Sequence, residues 1–326
     1  MGDWAGVRLH VVTGKGGTGK TTVAASLALA LAAGGRKVLL IEVEERQGLA
    51  QLFDVPPLPY EERKLAVARR GGDVYGLAVD VHEAMYEYLE IYYRLGRAGR
   101  ALDRIGVIEF AATIAPGMRD VLLTGKTYEA TRRRRRNHGF VYDAVVLDAP
   151  PTGRITRFLS VNAAVMGLAR AGPIYRHATA TTELICSPRT AVHVVTVLEE
   201  MPVQETADTL ADLHDAGIAL GAVIVNRVRR PHLSVRDLAI ARRRGLDRDR
   251  IEAGLRAAGL PTSTALVDRL LDEATAHADR VQREKEQRAV IDALDRPTYE
   301  LPFVAEGIDM AALYELAGML NEQGAT

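Results

Sequence analysis

The sequence predicts an α/β protein built on a doubly wound, mostly parallel sheet. Short apolar runs rich in β-branched residues alternate with longer helical stretches, which is typical of consecutive βαβ units. Several runs are apolar at successive positions, as expected for strands that helices cover on both faces. The first run leads directly into a glycine-rich loop that opens a helical stretch. The predicted strands are Arg8–Thr13, Lys37–Val43, Val74–Val79, Ala144–Leu147, Val192–Leu198, Ala219–Asn226 and a late strand near Tyr299–Pro302.

Two long stretches without a strand, residues 81–135 and 154–185, are predicted to be helical. We expect them to form a helical subdomain on one edge of the sheet, within a single domain that spans residues 1–326. This length is enough for one large domain or two ordinary ones. The charged stretch Asp247–Leu294 predicts a solvated outer pair of helices.

The composition excludes several classes of protein. The 42 basic residues balance 42 acidic residues, so no overall positive field attracts nucleic acid, and we expect no nucleic-acid partner. The single cysteine, Cys186, excludes an intrachain disulfide and a zinc CxxC site. The N-terminus lacks the pattern of a signal peptide, and the longest apolar run, Val23–Ala33, is too short to cross a bilayer. We therefore expect a cytoplasmic protein.

The glycine-rich loop matches the phosphate-binding pattern G-x-x-x-x-G-K-[ST]. It follows a predicted strand and opens a predicted helix, so its backbone N–H groups and the helix N-terminus can surround phosphate oxygens. The pattern predicts that Lys20 reaches the β- and γ-phosphates of ATP and that the Thr21 hydroxyl ligates Mg²⁺. The alternative is a glycine-rich turn without a ligand. The residues expected to contact the nucleotide are Gly14, Gly16, Gly17, Thr18, Gly19, Lys20, Thr21 and Thr22.

Only six of the 42 basic residues are lysines, and two of them, Lys15 and Lys20, lie in this loop. A second lysine directly after the first glycine is typical of the deviant Walker A loop. A lysine–phosphate pair at ~4 Å contributes about 4 kcal/mol at an effective dielectric of ~20, which can favour two protomers closing over nucleotide. Lys15 is therefore a candidate to act in trans as an arginine finger does. The alternative is a loop lysine in solvent.

An apolar strand that ends in Asp148 is a candidate Walker B strand, whose carboxylate supports the Mg²⁺ shell. The turn that follows at once contains Pro151, Thr152 and Gly153, and it suits a switch that senses the γ-phosphate. We therefore include these three residues among the predicted nucleotide contacts.

Two further strand ends carry candidate site residues. Glu42, Glu44 and Glu45 end the second predicted strand, where a carboxylate can orient or deprotonate the attacking water. Acidic residues in a surface loop are the alternative. Asn226 ends another predicted strand, and its amide is a candidate for reading the adenine edge.

Together these motifs resemble those of the arsenite-pump and tail-anchored-protein-targeting ATPases, within the deviant-Walker-A class. The match runs over most of the chain. Residues 14–22 resemble the family's loop, with Thr18 where valine is usual. Residues 148–154 resemble the family's D-T-A-P-T-G-H switch, residues 225–228 its adenine-reading strand end, and residues 301–303 its late adenine loop.

The resemblance implies an ATP-driven dimer with the two nucleotides face to face and Lys15 crossing the interface. It also implies that Asn226, Pro302 and Phe303 lie around the adenine. The dimer is either a homodimer or a heterodimer with a paralogous ATPase, and a protein client or a membrane partner would receive the output of the cycle. Such a partner would place the protein peripherally at the membrane.

The chain departs from the family's pattern at several positions. The first switch of the family reads D-P-A-H, whereas residues 44–47 read Glu-Glu-Arg-Gln, so Glu44 replaces the water-positioning aspartate. One added methylene can misplace a carboxylate by about 1 Å and cost ~10²-fold in rate. Arg154 replaces the switch histidine. The second helical segment, residues 154–185, is shorter than the corresponding segment of the targeting proteins. This variant resembles an actinobacterial branch in which such a chain has a paralogous partner.

Three hypotheses for function follow. The first is an ATP-hydrolysing, nucleotide-switched dimer coupled to a client or membrane partner. The second, motivated by the altered first switch, is a weakly hydrolytic subunit of a heterodimer that acts as a scaffold or regulator. The third is a partition-type ATPase that binds DNA, which the zero net charge disfavours.

Two remaining features have alternative interpretations. The run Arg132–Arg136 is either a solvated helix end or a surface for an acidic partner or lipid headgroups. The aromatic-rich run Met85–Tyr93 packs in the core or lines a groove for a client or partner.

Overall fold

Eight strands form one sheet in the computed structural model of the chain, which describes residues 4–44, 46–93, 117–135, 139–168 and 171–326. The strands are β1 (Leu9–Gly14), β2 (Lys37–Glu42), β3 (Arg63–Val67), β4 (Asp73–Ala78), β5 (Ala144–Asp148), β6 (Thr190–Thr196), β7 (Leu220–Val228) and β8 (Thr298–Pro302). The described helices are α1 (Lys20–Ala32), α2 (Gly48–Leu52), α3 (Val81–Tyr93), α4 (Met118–Arg132), α5 (Thr152–Leu168), α6 (Pro173–Ile185), α7 (Glu200–Asp215), α8 (Val235–Arg242), α9 (Arg248–Ala257), α10 (Thr264–Asp292) and α11 (Met310–Glu322).

The strand order is β3-β4-β2-β5-β1-β6-β7-β8. Every neighbouring pair is parallel except β3 and β4, which are antiparallel. The chain therefore winds outward from β1 in both directions, and the predicted doubly wound α/β class is confirmed. The ends of β2, β5, β1, β6 and β7 meet along one edge of the sheet, where ligands bind in open parallel sheets.

Helices cover both faces of the sheet. On one face, α1 and α11 pack against apolar side chains of the central strands. Almost every residue of α1 is buried, and its alanine-rich sequence lets the helix approach the sheet closely. On the other face lie α3 to α7, with α10 covering the end near β7. Burial on both faces explains why the central strands are apolar at successive positions.

The sequence missed β3, the antiparallel edge strand. Only one of its five residues, Ala66, is fully buried, and two of the five are basic, so no continuous apolar run marks it. Charged residues on an edge strand oppose pairing with other chains, and they also weaken the sequence signal. The other strands lie where they were predicted, with ends that differ by a few residues; β7, for example, extends to Val228.

The helical stretches agree with the sequence over the described residues. Helices α3 and α4 occupy most of the described parts of residues 81–135, and α5 and α6 occupy most of the described parts of residues 154–185. Residues 94–116 lie outside the described residues, so the extent of the helical subdomain stays a prediction. In the aromatic-rich run, Met85 is buried, and Tyr86 and Tyr88 pack against the core. The side chains of Leu89 and of residues 91–93 lie outside the described part.

The arginine run contacts groups of this chain. Arg133 donates to Glu129 Oε2 at 2.6 Å and to Glu62 Oε1 at 2.7 Å, and Glu62 also accepts from Tyr142 at 2.6 Å. The Arg134 guanidinium lies 4.8 Å from the centre of the Phe140 ring. Part of the run therefore connects the end of α4 to the segment that leads into β5. Arg136 lies outside the described residues.

Candidate nucleotide-binding site

The glycine-rich loop connects β1 to α1 and passes closely against two neighbouring strands. A Cβ atom at Gly14 would lie 2.2 Å from the carbonyl oxygen of Val195 on β6. Gly19 has φ of 90°, and a Cβ atom there would lie 2.4 Å from Nδ2 of Asn226 on β7. Only glycine fits both positions, so the spacing of glycines in the motif reflects contacts with the sheet as well as room for phosphate.

Hydrogen bonds hold the loop in shape from inside. The Thr18 hydroxyl donates to the carbonyl oxygen of Lys15 at 2.8 Å, and Asn226 Nδ2 donates to the carbonyl oxygen of Thr18 at 2.8 Å. Asn226 is buried, and its hydrogen bond to Thr18 supports the loop directly. The predicted contact of Asn226 with adenine stays a prediction. Thr18, where the resembled family usually has valine, adds a loop hydrogen bond that valine cannot make.

The N-terminus of α1 is open toward this loop. Its N-cap residue, Gly19, has no side chain that could accept hydrogen bonds from the first N–H groups of the helix, so these groups are available to bind an anion. Lys20, at the first helical position, is buried to 9% exposure, and Thr21 follows it. A buried ammonium beside uncapped N–H groups is an environment that favours phosphate.

A carboxylate lies beside this helix end because β5 pairs with β1. Asp148 is opposite Val12 of β1 and Glu42 of β2 in the parallel register. It is 7% exposed, and its Oδ1 atom is buried without a hydrogen-bond partner among the described residues. Burial raises the pKa of Asp148 to about 7; a hydrogen bond from Thr21 and the charge of Lys20 act in the opposite direction.

This arrangement fits a divalent cation. An orphaned buried carboxylate oxygen next to a threonine hydroxyl offers the oxygen ligands that Mg²⁺ prefers. The negative charges of Glu42 and Glu44 also raise the pKa of Asp148, so the site has an excess of negative charge that a cation would balance. Thr21 and Asp148 are thus close together, as the metal prediction requires.

The carboxylates after β2 differ in their surroundings. Glu42 is 3% exposed, and its two oxygens accept hydrogen bonds from the backbone N–H groups of Gly48 at 2.8 Å and Leu49 at 3.4 Å. It therefore anchors the start of α2 beside Thr21. Glu44 is partly buried, and its charge acts on Asp148 less than that of Glu42. Glu45 lies outside the described residues.

The segment after β2 has an unusual backbone. Gln47 has φ of 55°, in the left-handed region that few side chains adopt. Its side chain holds the backbone of Leu58 through two hydrogen bonds, one donated by Nε2 at 3.1 Å and one accepted by Oε1 at 2.8 Å. Gln47, the last residue of the predicted first switch, is thus held in place by two hydrogen bonds.

The turn after Asp148 is tied to β1 directly and to the phosphate loop through Glu205. The Thr13 hydroxyl donates to the carbonyl oxygen of Pro150 at 2.7 Å. Thr152, the first residue of α5, donates its hydroxyl to Glu205 Oε2 at 2.8 Å, and the other oxygen of Glu205 pairs with the Lys15 ammonium. The hydrogen bond from Lys15 lowers the pKa of Glu205. Sequence reasoning missed Glu205, because nothing near it marks a contact 190 residues away.

The predicted adenine residues lie at the ends of β7 and β8. Pro302 ends β8, and the Phe303 N–H donates to the carbonyl oxygen of Val228 at 2.9 Å. The Arg229 guanidinium lies 4.3 Å from the centre of the Phe303 ring, which is 42% exposed. A partly exposed aromatic ring at the same edge of the sheet as the phosphate loop offers a flat surface on which a base can stack.

The structure thus brings the predicted residues to one edge of the sheet. From β2 to β8, that edge carries Glu44, Asp148, the phosphate loop, Asn226 and Phe303. Pro151 and Gly153 flank Thr152 beside it. A parallel sheet with a phosphate loop between β1 and α1 and an acidic residue at the end of β5 defines the class of P-loop ATPases.

The comparisons with known proteins agree with this class. A family model described as anion-transporting ATPase matches residues 7–172. ATPase BagA of Mycobacterium tuberculosis is 54% identical over 320 residues, which cover 98% of this chain and 94% of that protein. The arsenical pump-driving ATPase of Escherichia coli is 30% identical over 221 residues, 67% of this chain and 34% of that protein.

The chain belongs to the anion-transporting ATPase family, and it is an ATP hydrolase. The family model and the Escherichia coli relative are both named as ATPases, which identifies ATP as the nucleotide. Within the described residues, no helix combines the length and the apolar character needed to cross a membrane.

Proposed function

We propose that the chain is a Mg²⁺-dependent ATPase that works as a nucleotide-switched dimer and transmits ATP turnover to a protein client or membrane partner. The observation that carries the proposal is the buried Oδ1 atom of Asp148, which has no hydrogen-bond partner among the described residues and lies beside Lys20, Thr21 and the N-terminus of α1. The relative named as an arsenical pump-driving ATPase supports a role in which turnover drives another process. We place the whole chain in one domain that acts in the cytoplasm.

In this proposal the protein groups bind and orient the nucleotide. The loop N–H groups and Lys20 hold the phosphates, and Asp148 and Thr21 hold the metal. When bound, Mg²⁺ neutralises charge on the phosphate oxygens. A carboxylate after β2 orients the attacking water; Glu44 is our candidate, because Glu42 already accepts two backbone hydrogen bonds.

Calorimetric titration with Mg²⁺-ATP tests the nucleotide site. We expect Lys20→Ala to weaken binding at least tenfold, because it removes a charge-assisted contact worth about 1.5–3 kcal/mol. Lys285→Ala is the matched control, since Lys285 is exposed on α10. If the Lys20 variant binds ATP as tightly as the parent chain, the proposed site is wrong. A Glu44→Gln variant that hydrolyses ATP at the parent rate would remove Glu44 from the proposal.

A heterodimer with a paralogous ATPase is the second candidate. It is favoured by Glu44, which stands where the resembled family has a shorter aspartate, so that this chain would bind ATP but hydrolyse it slowly. Turnover of the isolated chain and of the co-expressed pair separates the two candidates. Full turnover by the isolated chain would eliminate the weakly hydrolytic subunit.

A further inference from the structure

Glu205 links the two parts of the nucleotide site that are expected to move. It lies on α7, outside the motifs that bind nucleotide, yet one carboxylate oxygen pairs with Lys15 and the other accepts a hydrogen bond from Thr152 at 2.8 Å. Lys15 belongs to the phosphate loop, and Thr152 begins the helix that follows the Asp148 turn. One carboxylate therefore joins loop and switch without a nucleotide.

The contact with Glu205 competes with the proposed task of Lys15. An ammonium that crosses to a phosphate in a partner protomer must leave a carboxylate in its own chain. When Lys15 leaves, the negative charge of Glu205 is no longer balanced. The incoming phosphates lie close to this charge and repel it. The Thr152 hydroxyl then loses its hydrogen bond to Glu205, which fixes the start of α5.

We propose that Glu205 is a positioning residue that holds Lys15 and Thr152 in the nucleotide-free chain and releases both together when Lys15 transfers to nucleotide phosphate. This inference rests on the proposed function, because it requires that Lys15 serve the nucleotide. It gives α7, a helix outside the sequence motifs, the role of coupling the phosphate loop to the switch.

The strength of the contact suits a switch. The side chains of Lys15 and Glu205 are 34% and 33% exposed, so water screens their attraction. Pairs with such exposure contribute about 0.2–1 kcal/mol, which corresponds to a preference of roughly 1.4- to fivefold for the closed contact. A phosphate can overcome a preference of this size.

The scarcity of lysines makes a direct test practical. The chain has six lysines, so brief acylation with an amine-reactive reagent followed by peptide mass spectrometry reports each of them separately. We expect Glu205→Gln to raise the acylation rate of Lys15 two- to fivefold in the nucleotide-free protein. Lys126, which pairs with Glu87 at 2.7 Å, and the exposed Lys285 should react at unchanged rates.

Asp212→Asn is the matched control, because Asp212 is an exposed acidic residue on the same helix. It removes the same charge from α7 and should leave Lys15 acylation at the parent rate. Because Glu205 is one-third exposed, its replacement by the isosteric glutamine opens no cavity in the core. Equal acylation of Lys15 in the parent and the Glu205→Gln variant would overturn the inference.

The link to the switch has its own readout. Hydrogen exchange of the amides in the first turn of α5 should accelerate in Thr152→Val, which keeps the size of the side chain but cannot donate. The same amides should accelerate in the parent chain when Mg²⁺-ATP is added. If ATP leaves their exchange unchanged while calorimetry shows that it binds, Glu205 does not couple the two parts.

Failure of this inference and failure of the proposed function give different results. If Lys20→Ala abolishes ATP binding but Glu205→Gln leaves Lys15 acylation unchanged, only the role of Glu205 is refuted. If Lys20→Ala binds ATP like the parent chain, the nucleotide site is refuted, whatever Lys15 acylation shows.

Discussion

The buried histidine pair predicts a loss of stability at mildly acidic pH. His10 on β1 and His193 on β6 are 0% and 1% exposed, and His10 Nδ1 lies 3.1 Å from His193 Nε2. The Ala222 N–H donates to His193 Nδ1 at 3.2 Å, so a neutral His193 carries its proton on Nε2 and donates it to His10. A second proton on either ring would lie on Nδ1 and would face a hydrogen-bond donor.

The pKa values of both rings follow from this geometry. Burial is the main cause that lowers the pKa of His193 to about 3, and burial together with His193 lowers the pKa of His10 well below its ordinary value. The unfolded chain takes up a proton on each ring below pH 6.5, whereas the folded chain does not. Stability is therefore lost as pH falls below that value, by about 1.4 kcal/mol per pH unit and per ring.

Between pH 7.5 and pH 5.5 the pair should thus lower the free energy of unfolding by about 2.7 kcal/mol. The perturbation is the double substitution His10→Leu with His193→Leu, which removes both titrating groups. We expect the absolute stability of this variant to fall, because the Ala222 N–H loses its acceptor. Its loss of stability on acidification should nevertheless be smaller than that of the parent chain by about the same 2.7 kcal/mol.

Urea unfolding at several pH values measures this difference. Trp4 is the only tryptophan of the chain and packs edge-on against His193 with ring centres 5.1 Å apart, so its fluorescence reports unfolding at the pair. Far-ultraviolet circular dichroism serves as the second probe, and the exposed His214→Gln is the control variant. Equal losses on acidification in the parent and the double variant would refute the assignment of a neutral pair.

Three more substitutions should change ATP binding, hydrogen exchange or stability, because each of them disturbs a specific contact. Gly14→Ala should weaken ATP binding in calorimetry by more than tenfold, because the added Cβ would lie 2.2 Å from a carbonyl oxygen of β6. Gln47→Ala should accelerate hydrogen exchange at the Leu58 amide, since it removes two hydrogen bonds worth about 1 kcal/mol each. Arg133→Gln should lower the free energy of unfolding in urea by about 1–2 kcal/mol, because it breaks charge-assisted bonds to two half-buried glutamates.

The first and the third of these predictions have a matched control. Gly139→Ala meets open space at its Cβ and should bind ATP like the parent chain. Arg243→Gln removes an exposed arginine and should leave the unfolding free energy within about 0.5 kcal/mol. Parent-like ATP binding by Gly14→Ala, unchanged exchange at Leu58, or equal effects of the two arginine substitutions would contradict the respective contacts.

The fold class and the phosphate loop could be predicted because their signals are local. The glycines and lysines of the phosphate loop lie within one short stretch of sequence, although Gly14 and Gly19 themselves pack against β6 and β7. The apolar runs of the central strands likewise indicate burial on both faces. The edge strand β3 carries no such signal, because it is partly exposed and has charged residues among its apolar ones.

The rest of the site depends on contacts between distant segments. Glu205 reaches Lys15 and Thr152 only because α7 packs beside α5, and no pattern within α7 indicates it. Glu42 and Glu44 could not be ranked from the sequence, because both follow the same strand. The structure distinguishes them, since the N-terminus of α2 faces Glu42 and provides two donors to it.

The position of β1 in the sheet has a consequence for synthesis on the ribosome. Among the described residues, β1 pairs only with β5, which begins at Ala144, and with β6, which ends at Thr196. The strand that carries the phosphate loop is therefore made first but gains its partners only after more than a hundred further residues have been added. During that interval its apolar edges are open to other chains. We expect the nascent chain to need protection by chaperones until β6 has emerged, and no N-terminal fragment that lacks β5 to bind ATP.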